Sequence, residues 1–301
     1  MDFKQLEAFA YVVDFGSFSK AAEKLHLTQP TVSAHISSLE SELETQLIVR
    51  TSKSAYPSDV GKLLYEYASD MLSLRENAIE MCRQKRGEVN GVVNIAASTI
   101  PYQYVLPTAL ADFREIHPDV TFKLLRYDSA GVVSAVLSGK AELGMTGTVL
   151  EASKLVYHDI RDDELVLITP PLPPYSQKES SVFPLEEIPK SPFIVREPGS
   201  GTRKETEEYL QKSGIDPASL QVVAQMDNPD AVKSAVSQGL GISITSKLSA
   251  VDFEKLGLLK AFSLGEEKLI RKLYITHHKN RPLSRIAKAF LRFVSGHGAP
   301  Q

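Results

Sequence analysis

The 301-residue sequence predicts a multidomain α/β protein with a small helical head, one long helix, and a larger domain in which helices cover a sheet. Three observations predict this class. In the first 60 residues, apolar side chains recur at three- and four-residue steps with short breaks. An amphipathic stretch without proline follows, from about 58 to 86. Beyond residue 91, β-prone runs alternate with helix-periodic ones, the pattern of a sheet with helical connections. Hydrophobic residues at 43% and charged residues at 24% place the chain among globular proteins, and its length suits about two or three domains.

In the head, Phe3, Leu6, Phe9, Ala10 and Val13 share one helical face, and Gly16 interrupts them. Ser17 and Ser19 are both suitable caps for a second helix with Ala21, Ala22 and Leu25 inward. Thr28 is the cap of a third, with Pro30 in its first turn, where a missing amide proton costs little. That helix turns Val32, Ile36, Leu39 and Leu43 inward and leaves Thr31, Ser33, His35 and Ser38 on other faces. Glu40, Glu42 and Glu44 read as a solvated face. Leu47-Ile48-Val49 is a short β-prone run, and Pro57-Ser58 opens the long helix. There Leu64, Tyr67, Met71, Leu74, Ala78 and Met81 form an apolar stripe that needs a partner, and a second copy of the same helix supplies one.

Residues 87–91 form a short hinge. Strands follow at 92–96, 120–124, 143–146, 165–169, 193–195, 221–225, 242–245 and 271–276, with helices at 102–116, 130–138 and 203–212. Pro170, Pro171, Pro173 and Pro174 mark a turn or a domain surface, not a core element.

Several classes are excluded. The formal charge of −3 shows no basic excess. One cysteine, Cys82, rules out an intramolecular disulfide and a four-cysteine metal site, and reads as packing. Acids at Asp2 and Glu7 and the lack of an apolar run argue against a secretory signal, and no window is apolar enough to span a bilayer. The expectation is a soluble, cytoplasmic chain. No nucleophile elbow, metal-ligand spacing, P-loop or dinucleotide fingerprint appears, so neither enzyme activity nor a cofactor or metal is expected.

Two short helices with a tight turn, the second polar on its outer face, suggest a helix-turn-helix whose second helix enters a major groove. The run from Phe15 to Ser33, FGSFSKAAEKLHLTQPTVS, strongly resembles the N-terminal domain of LysR-type transcriptional regulators. The match continues through Ile36, Leu39-Glu40, Leu43, Leu47, Arg50-Thr51 and Gly61, then over the whole chain. The resemblance implies a winged helix-turn-helix at 1–58, a dimerising linker helix at 59–87 and an effector-binding domain at 88–301. That domain would resemble a periplasmic binding protein, with lobe I at about 92–161 and 267–297 and lobe II at about 162–266. It also implies that Ser19, Gln29, Pro30, Thr31, Ser33, His35 and Ser38, with Arg50 and Lys53 of the wing at 50–56, meet promoter DNA. Hydroxyl and amide groups at a helix start suit phosphates and base edges, and basic wing residues supply salt-dependent affinity. A dimer through the linker helix, assembling further into a tetramer, and contact with RNA polymerase belong to the same implication.

The chain departs from the family pattern in ways that bear on affinity. Ala34 stands where an arginine is usual, and no Lys or Arg occurs between Lys24 and Arg50. Residues 1–60 hold five basic and eight acidic side chains, so one head binds DNA weakly and several must act together. Glu44 replaces the usual glycine, so the third helix is expected to run on or to end without a left-handed cap.

Two segments in the larger domain place hydroxyls and free amides at helix starts, which stabilises negative charge. They are Ser98-Thr99-Ile100-Pro101 and the run from Arg196 to Arg203. The resemblance assigns effector contacts to Ser98, Thr99, Ile100, Thr146, Gly147, Thr148, Ser200, Gly201, Thr202 and Arg203, with Met226, Asp227 and Asn228 at a cleft edge. It implies a small anion, an inorganic oxyanion or a compact carboxylate or phosphate. The run from Arg196 to Arg203 is similar to branches of the family tied to sulfur, selenium or carbon assimilation. Asp128 and Glu164 repel such an anion if they face the cleft, hold a basic side chain in place, or lie outside it. His277 and His278, adjacent on a strand, point to opposite faces and are a poor metal pair. The competing reading is a cytoplasmic solute-binding protein without a direct role on DNA.

Overall fold

The computed structural model describes residues 1–51, 54–83, 91–265 and 268–297. Lys53, most of the expected hinge and the expected lobe boundary at 266/267 lie outside these residues, as does the side chain of Cys82. The chain divides into two compact units. One comprises 1–88 with 137–140 and 280–284, and the other holds the remainder.

The first unit opens with α1 (Phe3–Phe15), α2 (Phe18–Lys24) and α3 (Gln29–Glu42). Asp2 accepts the Gln5 amide while the Gln5 side chain accepts the Asp2 amide, so α1 begins on a reciprocal cap. Ser17, not Ser19, caps α2, and Thr28 caps α3. Leu6, Phe9, Val12, Val32, Ile36 and Leu39 are buried together as its core. Leu43, expected inward, is exposed, because α3 stops at Glu42 and Leu43 is already its C-cap. Glu44 then adopts φ +50°, and the Thr45 amide donates back to the Glu40 carbonyl. The helix therefore ends in a left-handed cap after all, carried by a glutamate at some cost in backbone strain.

β1 (Ile48–Arg50) and β2 (Ala55–Pro57) pair antiparallel as the wing. Glu40 is not a solvated residue. Its Oε1 accepts the amides of Leu47 at 2.8 Å and Ile48 at 3.0 Å, tying the wing to α3. α4 (Asp59–Arg83) starts where a Cβ on Gly61 would lie 2.2 Å from the Leu47 carbonyl oxygen, so only glycine fits. Leu64, Tyr65, Ala68 and Leu72 of α4 pack on the head's core. The outward stripe is thus Leu63, Tyr67, Met71 and Leu74, all exposed, with Leu63 in the place expected for Leu64.

In the second unit, parallel β3 (Gly91–Ser98) lies between β4 (Val120–Tyr127) and β5 (Leu143–Thr146). α5 (Leu106–Ile116) and α6 (Ser129–Leu137) occupy the connections. Two long antiparallel strands, β6 (Leu155–Thr169) and β11 (Leu269–His278), run through the whole unit. At one end, Tyr274–His277 of β11 pairs with β5. At the other, β6 pairs with β9 (Ser243–Ser246) and β10 (Lys260–Phe262). The pairing of β6 and β11 shifts register between Leu273 and Tyr274, where the sheet passes from one half to the other. The second half also holds the parallel pair β7 (Pro192–Arg196) and β8 (Gln221–Met226), with α7 (Gly201–Lys212), α8 (Pro229–Ser237) and α9 (Lys247–Lys255). α10 (Arg285–Arg292) returns to the first half, where Phe290 meets Phe113 and Phe122. β6 begins well before the expected residue 165, because its polar first part, His158 to Glu164, lacks an apolar signal.

Candidate functional site

The head presents α3 beside the wing. Pro30, Ala34, Ser37 and Ser41 form its exposed stripe, with Gln29 at its start. These side chains are short and uncharged, so a surface can approach the helix closely. Ser33 is half-buried and bonded: Gln29 Nε2 donates to its hydroxyl at 3.2 Å, and Arg50 Nη1 lies 3.5 Å away. Arg50 itself stacks over the Phe18 ring at 4.2 Å, which holds the wing cation beside the helix. Ser38 accepts a bond from Gln5 on α1, and Thr31 shares its hydroxyl with Thr28. Ser19 is exposed on α2, and His35 is half-buried. The outward stripe thus includes Ala34 and Ser37, which were not among the candidates, while Ser33 and Ser38 are partly occupied within the head.

In the second unit, a small polar cavity of about 20 Å³ lies between the two halves of the sheet. One wall is Ser98-Thr99-Ile100, at the end of β3, with Asp128-Ser129, at the start of α6, and Gly147. The other is Arg196-Glu197 and Ser200-Gly201-Thr202, at the start of α7. Helix starts from both halves line it, and the amide end of a helix favours negative charge. Ser98, Thr99, Ser200 and Thr202 are nearly buried, so their hydroxyls meet little water.

Arg271 of β11 closes the base. It is 6% exposed, and its Nε donates to Asp163 Oδ2 at 2.9 Å while Nη1 donates to Thr202 Oγ1 at 3.1 Å. Asp163, fully buried, is also bonded by the Ser246 hydroxyl. Arg196 is held bidentately by Glu197 at 2.7 and 2.9 Å and donates to the Asp227 carbonyl.

Most of the candidate residues meet here: Ser98, Thr99, Ile100, Gly147, Ser200, Gly201 and Thr202. Thr146 is fully buried and turns its hydroxyl onto the Thr148 carbonyl, and Thr148 lines a neighbouring groove instead. Arg203 points along α7, bonded to Glu207 and the Arg196 carbonyl, outside the cavity. Glu164 lies outside as well; burial pushes its carboxyl up, but Lys247 and Lys268 outweigh that and hold it below its ordinary value. Asp128 does face the cavity. Arg271 and Asp163 were not foreseen, although a signal exists: two opposite charges inside β-prone runs, which the register places directly across from each other.

The rim is tied across the two halves. Gln103 and Tyr104 donate to Asp230 at 3.1 and 3.3 Å, and Lys233, its side chain 1% exposed, sits 3.1 Å from both Asp230 and Asp252. Burial works against the Lys233 charge, but the two carboxylates overcome it and raise its pKa. Asn228 caps α8 at the same edge.

The sequence matches two family descriptions. "Bacterial regulatory helix-turn-helix protein, lysR family" covers residues 3–62, and "LysR substrate binding domain" covers residues 86–299. The chain belongs to the LysR family of transcriptional regulators. Its relative MJ0300 of Methanocaldococcus jannaschii, an HTH-type transcriptional regulator, is 34% identical over 93% of this chain and 93% of its own. CbnR in complex with its target DNA shares the fold of the LysR-family chain with a TM-score of 0.68 at 20% identity, over 99% of this chain and 100% of CbnR. The regulatory domain of CcmR from Synechocystis PCC6803, solved with 2-PG, shares the fold of the second unit. Its TM-score is 0.63 at 23% identity, over 69% of this chain and 98% of that domain. Among the described residues no helix is long and apolar enough to cross a membrane.

Proposed function

We propose that this LysR-family regulator binds promoter DNA through α3 and the wing, and that a small anion in the cavity between the two halves of the second unit modulates that binding. The carrying observation is the cavity itself, where helix starts from both halves converge on buried hydroxyls and two fixed guanidinium groups. CbnR, solved with target DNA, and CcmR, solved with 2-PG, support the two parts of this reading. Pro30, Ala34, Ser37 and Gln29 approach the groove, and Arg50 meets phosphate. The bare stripe of Leu63, Tyr67, Met71 and Leu74 pairs two copies of α4, which compensates for the head's scarcity of cations by doubling its contacts. The regulator acts in the cytoplasm, where its promoter is, and catalyses no reaction.

A ligand can shift DNA binding only by favouring one arrangement of the protein over another. A mobility shift on the DNA upstream of its own gene, at low and rising salt, tests the reading. Binding is expected to weaken steeply with salt and to change with a panel of small oxyanions. No binding at low salt, or no response to any anion, would overturn it. The response should also weaken in Thr99→Ala.

A further inference from the structure

Asp128 is out of place in a cavity built for negative charge. It caps α6: its Oδ1 accepts the Gly131 amide at 2.6 Å, and its carbonyl accepts the Val132 amide. Many side chains could do that from outside, yet this one lines the cavity. Its Oδ2 reaches the opposite wall. A Cβ on Gly199, at φ +87°, would lie 2.2 Å from that oxygen, so only glycine leaves room for the carboxylate there.

The charge balance sharpens the point. Four charged side chains line the cavity: Arg196 and Arg271, Asp128 and Glu197. Both arginines are already paired, one with Glu197 and the other with buried Asp163. The side chains therefore offer an incoming anion no surplus of positive charge. The helix-start amides and the hydroxyls of Thr99, Ser200 and Thr202 supply its donors, and these donors suit most oxyanions alike. Asp128 does not, and Glu197, the other carboxylate on the lining, has both oxygens engaged by Arg196. A carboxylate only accepts hydrogen bonds, and so does a fully deprotonated oxyanion. Placed in contact, the two repel, whereas an oxyanion that keeps one O–H donates it to the carboxylate.

We infer that Asp128 makes the cavity selective for a compact oxyacid anion that carries its own proton, such as hydrogenphosphate, hydrogensulfite or hydrogenselenite, against anions with none, such as sulfate. This selectivity rests on the anion-binding reading above and adds to it a rule for which anion is accepted.

Inorganic phosphate and sulfate are the decisive pair. At about pH 8 both are tetrahedral dianions of similar size, and only phosphate retains a proton. Calorimetric titration of the full-length protein is expected to show phosphate binding about ten- to a hundredfold more tightly than sulfate, the span of one charge-assisted hydrogen bond. Asp128→Asn keeps an oxygen for the Gly131 amide and adds a donor for sulfate. In it the two anions should bind within about threefold of each other, chiefly through a gain for sulfate. An unchanged melting temperature confirms that the cap survives. Thr99→Ala should weaken both anions and leave their ratio alone. Equal binding of the two by the unaltered protein, or a ratio that Asp128→Asn does not move, overturns the selectivity while leaving the anion site standing. Failure of both anions to bind overturns the anion site and the selectivity with it.

Discussion

Helix α3 and the polar cavity of the second unit handle charge in opposite ways. On α3 the outward stripe is neutral and short, and the wing cation Arg50 is exposed and, among the described residues, meets Phe18 and Ser33. In the cavity, two arginines are almost fully buried and each is committed to a carboxylate. An exposed cation can be removed with little structural consequence, and its work is done on a partner. A buried ion pair is part of the fold, so its removal is felt first as lost stability.

The largest contrast should come from two arginines. Arg271→Ala leaves Asp163 buried without its partner and should cost about 3–5 kcal/mol in urea unfolding. Arg50→Ala should change stability by less than about 0.5 kcal/mol. Its effect belongs on DNA, where it should weaken binding across sequences and reduce the salt slope by about one per head. If the two variants showed similar losses of stability, the distinction between the regions would fail.

Glu40 qualifies the comparison, because a charge in the head is also committed within the fold. Glu40→Ala strands the amides of Leu47 and Ile48 and should cost about 2 kcal/mol, seen as a lower melting temperature. The wing should loosen first, as faster hydrogen exchange at Ile48 and Arg50.

A pH effect comes next. Burial lowers the His277 pKa, helped by His158, whose Nε2 lies 3.5 Å away, and opposed by the bond to the His278 carbonyl. The folded ring therefore takes up its proton less readily than the unfolded one. Stability from this site is full above the ordinary histidine value of about 6.5 and is lost as pH falls through the lowered folded value. His277→Gln should flatten that acid-side fall in melting temperature, while leaving the value above neutrality nearly unchanged.

The smallest expected effect is a gain. Glu44→Gly relieves the left-handed strain at φ +50° but adds freedom to the unfolded chain, so the net stabilisation should be about 0.5 kcal/mol by chemical denaturation.

Much of the head was legible in the sequence, because caps and periodicity are local signals. Thr28 begins α3 as its chemistry predicts, and Val32, Ile36 and Leu39 are buried at helical spacing. Glu40 was misread because its partners, Leu47 and Ile48, come close only after the chain turns back. The cavity divides along the same line. Ser98, Thr99, Ser200, Gly201 and Thr202 were visible as hydroxyls and glycines at helix starts, and they do converge. Arg203 belongs to the same run, yet its i,i+4 pair with Glu207 draws it along the helix and away. Asp128, left undecided between repelling an anion, bracing a basic side chain and lying outside the cleft, proves to be both a cap and a wall of the cavity.

By itself the sequence determined the family and the three helices of the head, since caps and periodicity depend on neighbours within a few residues, whereas α8, α9 and α10 of the second unit were not read from it. Only the tertiary structure decided which charges share the cavity. Arg271 and Asp163 are 108 residues apart in the chain, and Asp128 meets Gly199 across the two halves of the sheet. A charge acts through space, so its role is set by what folding brings within a few ångströms of it.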